Sequence, residues 1–240
     1  MKKTASILTL VFLSIITSAQ SLIPMKYGIK VGANISNIIS TANEGVSSIE
    51  NSALVGIAGG FYMEIALNDK WFINPELIYS QKGASFTYIY THDYEVNERD
   101  IHNTSNELKL AYVELNPTIS YKYSDKLALN FGPSVSFILS PDYTILTDEG
   151  QNDNLSSHSV LLEGSYTEET IDVGLNLGIS YYLTENLLID SRVNTSLIKA
   201  GTISKLTNTG IVSGAPANTP EINIYEIKNR VISFSIAYLF

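Results

Sequence analysis

Residues 111–140 constrain the fold of this chain more than any other stretch. Apolar and polar side chains alternate through residues 113–123, and the alternation resumes at Leu127 after Ser124-Asp125-Lys126. A period of two places successive side chains on opposite faces of a β-strand, and the polar connection is typical of a tight hairpin turn. Each arm is long for a soluble strand and suits the roughly 9–11 residues of a tilted membrane crossing. The stretch therefore predicts two neighbouring strands of a transmembrane β-barrel.

The same alternation recurs along the chain and predicts eight strands. Short connections that begin at Asn68, Ser124 and Thr184 alternate with long polar segments. Short turns at one end and long loops at the other are typical of bacterial outer-membrane barrels, whose long loops are extracellular. We therefore predict an all-β fold, an eight-stranded antiparallel up-and-down transmembrane β-barrel with short periplasmic turns and long extracellular loops. The predicted loops are residues 37–52, 87–109, 141–169 and 199–226.

The start of the chain has the features of a secretory signal peptide. Lys2 and Lys3 precede an apolar core at residues 7–16, which is too short to cross a bilayer as a helix, and small residues follow up to Ala19. We predict a signal peptide at residues 1–19, cleaved before Gln20, and a single outer-membrane barrel domain at residues 20–240.

Composition indicates which face of the strands meets lipid. Charged residues are only 16% of the chain, and the polar face is mostly Gly, Ser, Asn and Ala. Such a face would make a poor soluble exterior, but it suits the interior of an eight-stranded barrel, which has room for little beyond side chains. The apolar face is therefore predicted to meet lipid, with an aromatic girdle at its periplasmic edge. The girdle residues are Tyr27, Trp71, Tyr121, Tyr123, Tyr181, Tyr238 and Phe240.

Single charges on the polar face are the candidate site residues. Charged side chains in a water-poor lumen must pair, so we predict a structural network of salt bridges and hydrogen bonds that plugs the barrel. The alternative is a selective path for an ion or small solute. The predicted lumen network comprises Lys30, Glu64, Glu76, Lys82, Glu114, Lys122, Asp172, Asp190 and Arg192, with Arg230 as a further candidate.

Prolines and glycines mark predicted irregularities in the strands. Pro75, Pro117 and Pro133 each remove an amide donor from a barrel without free edges, so β-bulges are expected there. Gly56, Gly59 and Gly60 do not fit a phosphate-binding loop because no helix follows them, and they are expected to relieve crowding or to curve the strand.

The predicted loops carry no pattern that specifies catalysis or a metal site. The chain has no cysteine, and its net charge of −9 disfavours nucleic acid as a partner. Acidic residues between 141 and 170 lack EF-hand spacing, so a solvated loop is favoured over a calcium site; they are Asp142, Asp148, Glu149, Asp153, Glu163, Glu168 and Glu169. His92, His102 and His158 show no paired spacing. We predict no enzyme activity, no cofactor and no catalytic or metal-binding residue.

Five sequence motifs carry a resemblance to a known family. They are YSQKG at 79–83, YVELNP at 112–117, NFGPSVS at 130–136, DVGLNLGISYYLTENLLIDSR at 172–192, and the alternating apolar row that ends at Phe240. The last of these resembles the C-terminal signature that the outer-membrane insertion machinery reads. Together the motifs resemble the PorT-like outer-membrane β-barrel family common in Bacteroidetes. They describe barrel construction and do not specify a part in type IX secretion.

The resemblance implies a protein of the Gram-negative outer membrane. Its implied partners are outer-membrane lipid, the insertion machinery and envelope or secretion proteins, and the family brings no catalytic residues. The function predicted on this basis is a structural or interaction role, such as envelope integrity, adhesion or membership of a secretion complex. The alternative is transport of small or hydrophobic solutes, and a soluble binding barrel and a loop-borne enzyme rank after it.

Overall fold

The computed structural model describes residues 24–42, 49–93, 99–150, 163–207 and 221–240. The predicted signal peptide and its cleavage site lie outside these residues. The described residues contain no helix that is long and apolar enough to cross a membrane. They form ten β-strands: β1 (Met25–Ala42), β2 (Ile49–Ala66), β3 (Trp71–Asp93), β4 (Arg99–Lys122), β5 (Leu127–Gly150), β6 (Glu163–Glu168), β7 (Ile171–Tyr182), β8 (Leu187–Ser196), β9 (Gly201–Thr207) and β10 (Glu221–Leu239).

Eight of these strands close a barrel. Their order is β1-β2-β3-β4-β5-β7-β8-β10, and β10 pairs back onto β1 from Gly28 opposite Leu239 to Ala42 opposite Tyr225. Every pair is antiparallel, as expected when each strand follows its neighbour through a hairpin. The short strands β6 and β9 continue the sheet beside the outer half of β10. The predicted closed, eight-stranded antiparallel barrel is therefore confirmed.

The strands run further than their apolar alternation predicted. β3 continues to Asp93, β4 starts at Arg99 and β5 continues to Gly150, so much of the predicted loop sequence is paired strand. Backbone hydrogen bonds hold a ladder together without regard to side-chain identity. Beyond the membrane the outward positions meet water instead of lipid, so pairing persists there while the apolar alternation is lost.

The two faces of the wall differ as the alternation predicted. In β7, Leu175, Leu177 and Ile179 point outward and are 46%, 68% and 50% exposed, whereas Asn176 and Ser180 point inward and are buried. The other strands repeat this arrangement, so an unbroken band of exposed Leu, Ile, Val and Phe surrounds the barrel. A soluble monomer rarely exposes an apolar surface of this extent.

Exposed aromatic rings gather at the end of the barrel that carries the short turns. Trp71 and Tyr121 lie side by side with ring centroids 4.9 Å apart. The ring of Phe240 lies 6.1 Å from that of Tyr27 and 5.4 Å from that of Tyr238. The Phe240 amide donates to the Tyr27 carbonyl at 2.8 Å, so this residue belongs to the seam between the first and last strands.

The expectation of bulges at the three prolines is wrong. Pro75 lies opposite Pro117 with no change of register, and the β4–β5 register is the same on both sides of Pro117 and Pro133. The register shifts elsewhere, between residues 53 and 58 of β2 and after residues 105 and 111 of β4. Lumen side chains donate to nearby carbonyls, as from Asn176 to Pro133 O (3.4 Å). The amide donor that a proline lacks therefore does not require a β-bulge at that position.

Candidate functional site

The nine predicted lumen residues all occupy inward positions of the barrel strands. Eight of them are at most 7% exposed, and Lys122, near the periplasmic end, is half-buried. Arg230 is different, because it is exposed on the outer face between the buried residues Asn229 and Val231. The prediction that Arg230 belongs to the lumen network was wrong, because Asn229 takes the inward position in that part of β10.

Two cations and two carboxylates form a central cluster. Lys30 Nζ lies 3.0 Å from Glu76 Oε1 and 2.7 Å from Asp190 Oδ1. Arg192 donates to both oxygens of Glu76, at 2.7 and 2.8 Å, which is the paired geometry that a guanidinium makes best. Asp190 also accepts from Ser180 Oγ at 2.8 Å. Two positive and two negative charges thus meet, which offsets part of the cost of taking each of them out of water.

One ion pair flanks the central cluster on either side. Toward the extracellular end, Lys82 Nζ lies 2.6 Å from Glu114 Oε1. Toward the periplasmic end, Lys122 Nζ lies 3.3 Å from Glu64 Oε1 and 3.9 Å from the centre of the Phe72 ring. Phe72 breaks the alternation of β3, and the structure gives a reason: its inward ring supports a lysine by a cation–π contact.

Neutral amides and hydroxyls connect the ion pairs, and sequence reasoning did not single them out. Asn176 donates to Asn116 at 3.1 Å, and Asn194 donates to Asn176 at 2.9 Å and to Ser134 at 2.8 Å. A recurrent Asn on the inward face of several strands was the available signal. Such a residue carries both donors and acceptors, so it can bridge neighbours that a single charge cannot satisfy.

Asp172 is the exception in this network. Ser196 Oγ and Asn229 Nδ2 donate to its Oδ2 atom at 2.8 and 2.9 Å. Its Oδ1 atom is buried without a hydrogen-bond partner, and none of the described Lys or Arg side chains forms a salt bridge with it. The expectation that every lumen charge pairs therefore does not hold for this carboxylate.

Apolar side chains fill the lumen at both ends of the polar network. Tyr166 of β6 packs against the outer cluster and donates to Ala200 O at 3.0 Å; burial raises the pKa of its hydroxyl, which stays protonated. Between the clusters, the polar network surrounds a cavity of about 40 Å³. The outer cluster is Ile38, Ala84, Leu108, Leu110, Tyr112 and Ile227, and the periplasmic cluster is Tyr62, Ala128, Tyr182, Leu188, Ala237 and Leu239.

The acidic and histidine side chains of the predicted loops do not assemble into a described site. Glu169 pairs with Lys199 at 3.1 Å, and Asp142 is exposed. Among the described side chains, no three His, Cys, Asp or Glu residues are placed to hold a metal ion. His92 and His102 have backbones within β3 and β4. The side chains of His92, His102, His158, Asp148, Glu149, Asp153 and Glu163 lie outside the described part of the structure.

The fold and lumen define a class: small closed β-barrels with an apolar exterior and a charged, hydrogen-bonded interior. A profile of the outer membrane protein beta-barrel domain family matches residues 18–200. The chain belongs to this family, and its place is the outer membrane. No curated protein sequence matches the chain significantly.

Several solved outer-membrane proteins are similar to the chain at low sequence identity. Neisserial surface protein A is 12% identical, over 89% of this chain and 97% of that chain, with a TM-score of 0.43. OprG from Pseudomonas aeruginosa is 10% identical, over 90% and 94%, with a TM-score of 0.38. The protease OmpT from Escherichia coli is 13% identical, over 90% and 96%, with a TM-score of 0.38. At this level, nothing about a substrate or partner carries over.

A charge placed in the middle of the apolar band tests the membrane orientation. Leu177 is 68% exposed and lies between the girdle residue Tyr181 and the outer end of β7 at Ile171. We expect Leu177→Arg to lower the free energy of unfolding in phospholipid vesicles by about 2–4 kcal/mol, because the guanidinium must enter hydrocarbon. Urea titration of the folded barrel measures this. A loss below about 0.5 kcal/mol, which is typical of a water-exposed site, would contradict the orientation.

Proposed function

We propose that the protein is a non-conducting outer-membrane barrel with a structural or interaction role, such as envelope integrity, adhesion or membership of a secretion complex. One observation supports the proposal: between the two apolar clusters, the described lumen side chains are buried and bonded to one another. The 40 Å³ cavity between the apolar clusters has room for a few waters, since one water occupies about 10–15 Å³ on this measure. Solute passage would require the central ion cluster to be broken.

The length of the strands supports an interaction role. β4 and β5 have 24 residues each, whereas a tilted strand crosses the bilayer with roughly 9–11. The remainder is paired strand on the side opposite the short turns. The backbone of this extension is already hydrogen-bonded, so binding a partner there would require little further ordering of the backbone.

Conductance across a planar bilayer tests the closed lumen. We expect the folded protein to give no steady conductance above the protein-free baseline, while a general porin in the same bilayers conducts. Arg192→Ala removes the guanidinium that holds Glu76 and opens space beside the cavity. A steady conductance of the wild type that Arg192→Ala abolishes would overturn the proposal, because it would make the network an ion path.

A second candidate is transport of small hydrophobic solutes through the barrel wall. In the described residues, pairing between β5 and β7 ends at Phe137 and Ile171, followed by one bond from Ile138 N to Thr170 O (3.3 Å). Beyond this point β5 pairs with β4, and β6 pairs with β9, but no ladder joins β5 to β6 in the described residues. The barrel wall lacks backbone pairing between these two strands, and this is the opening that the second candidate requires. Uptake of a labelled hydrophobic solute no faster than in protein-free vesicles would exclude this candidate.

We further propose export and insertion as the sequence predicts. The signal peptide is removed before Gln20, and the insertion machinery recognises the C-terminal strand. The protein is a member of the PorT-like group of Bacteroidetes barrels. The seam bond from Phe240 N to Tyr27 O supports the part played by that strand. Mass spectrometry of protein from outer membranes should find Gln20 at the amino terminus; an intact leader or a different cleavage site would contradict the assignment.

A further inference from the structure

The charges that the described residues place inside the barrel do not balance. Each of the other carboxylates has a Lys or Arg nitrogen within 3.3 Å, whereas Asp172 has no such partner among the described residues. Five carboxylates minus four cations leaves one negative charge, and it resides on Asp172. The carboxylates are Glu64, Glu76, Glu114, Asp172 and Asp190, and the cations are Lys30, Lys82, Lys122 and Arg192.

The environment of Asp172 makes this excess charge costly. The residue is 2% exposed, and both donors that reach it bind the same oxygen, Oδ2. The other oxygen, Oδ1, has no partner. An ionised carboxylate without a counter-charge is among the least favourable groups to place in a protein interior. Lys82 does not supply that counter-charge, because Glu114 holds it at 2.6 Å.

Two amide oxygens at inward positions of β8 and β10 also lack donors. Asn229 adjoins the carboxylate directly, and Asn194 is the next inward residue to Ser196 on β8. Their Oδ1 atoms are buried without a hydrogen-bond partner. The amide nitrogens are engaged, Asn229 Nδ2 with Tyr112 and Asp172, and Asn194 Nδ2 with Ser134 and Asn176. These bonds orient both amides, so that their oxygens remain available as acceptors.

We propose that this part of the lumen holds a hard monovalent cation, Na⁺ or K⁺, bound by Asp172 Oδ1 with the Asn229 and Asn194 amide oxygens beside it. Carboxylate and amide oxygens are the ligands that hard cations prefer. One positive charge brings the nine charged lumen side chains to neutrality, whereas a divalent ion would leave an excess of one. The outer apolar cluster, which shares Tyr112 with the site, separates the ion from the external solution.

Unfolding in different salts tests the site. The barrel is refolded in detergent micelles and titrated with urea in Na⁺, K⁺ or N-methylglucamine at equal pH and ionic strength. A cation at about 100 times its Kd should lower the unfolding equilibrium constant about 100-fold. Asp172→Asn should lose this dependence on cation type, whereas Asp69→Asn, which changes an exposed turn residue, should keep it.

Anomalous diffraction supplies a second measurement that does not need a folded variant. Crystals of the wild-type barrel grown with Rb⁺ should show an anomalous peak at ligand distance from Asp172 Oδ1. Equal stability in all three cations, or the same cation response in wild type and Asp172→Asn, would overturn the proposal. A water in place of the anomalous peak, or an Asp172→Asn variant that is more stable than wild type in every salt, would also overturn it.

Discussion

The Glu76→Gln barrel is expected to lose about 3–5 kcal/mol of its free energy of unfolding, the range typical of a buried ion pair that loses one partner. Glu76 accepts two hydrogen bonds from Arg192 and one from Lys30, and it is 2% exposed. Its loss leaves two buried cations with Asp190 as the remaining carboxylate. Urea titration in vesicles, followed by the heat-modifiable shift on gels, measures the change.

A double variant distinguishes the cost of leaving a buried charge unpaired from the cost of losing the hydrogen bonds of Glu76. Glu76→Met with Arg192→Met removes one charge of each sign, so it should recover much of the stability that Glu76→Gln loses, because Lys30 and Asp190 remain a balanced pair at 2.7 Å. Glu168→Gln, at an exposed position outside the lumen, should change stability by less than about 0.5 kcal/mol. Wild-type stability of Glu76→Gln would show that the central cluster does not hold the barrel together.

Two adjacent glycines in β2 should differ strongly in their tolerance of the same substitution. A Cβ atom at Gly60 would lie 2.0 Å from the Leu77 carbonyl oxygen, in the backbone of the neighbouring strand. A Cβ atom at Gly59 would meet its nearest neighbour, Lys30 O, at the ordinary distance of 3.4 Å. Gly60→Ala should therefore cost at least the upper end of the about 1–3 kcal/mol typical of overpacking, or prevent folding.

Gly59→Ala is the matched control for this prediction, because it adds the same methyl group one residue away. It should refold with the wild-type yield and change the urea midpoint little. Equal behaviour of the two variants would show that β2 and β3 are further apart at Gly60 than the structure has them. Gly56, Gly59 and Gly60 were predicted alike to relieve crowding or to curve the strand, and at Gly59 there is no crowding to relieve.

The membrane-crossing part of the fold was predictable because lipid and lumen impose opposite chemistries on the two faces of each strand. In β7, the inward positions from Asp172 to Ser180 are small or polar and the outward positions are apolar, which leaves a recognisable alternation. The closed seam then follows, since free strand edges are not tolerated in hydrocarbon. The aromatic girdle at the periplasmic edge was predictable for the same reason.

The outer half of the barrel was not predictable in this way. Leu108 lies in a stretch predicted as loop, yet it is completely buried in the outer apolar cluster. Where lipid no longer surrounds the wall, outward positions are free of the apolar constraint, and the period of two disappears. What remains is backbone pairing, which leaves little trace in the identity of the side chains.

The partners within the lumen could not be read from the sequence. Alternation placed Lys30 and Asp190 on inward positions, but these residues are 160 positions apart in the chain, and their contact depends on the stagger of all the strands. The error at Arg230 has a different cause, because the alternating apolar row that ends at Phe240 already puts Arg230 on the outer face and Asn229 on the inner face.

The most direct test of the account is a disulfide across the seam that closes the barrel. The chain has no cysteine, and Ile35 of β1 lies opposite Ile232 of β10, with both side chains on the outer face. In isolated outer membranes under mild oxidation, Ile35→Cys with Ile232→Cys should form an intramolecular disulfide. Ile35→Cys with Ile236→Cys, on the same face but four residues along, should not. Failure of the first pair, or equal cross-linking of both, would contradict a transmembrane barrel closed in this register.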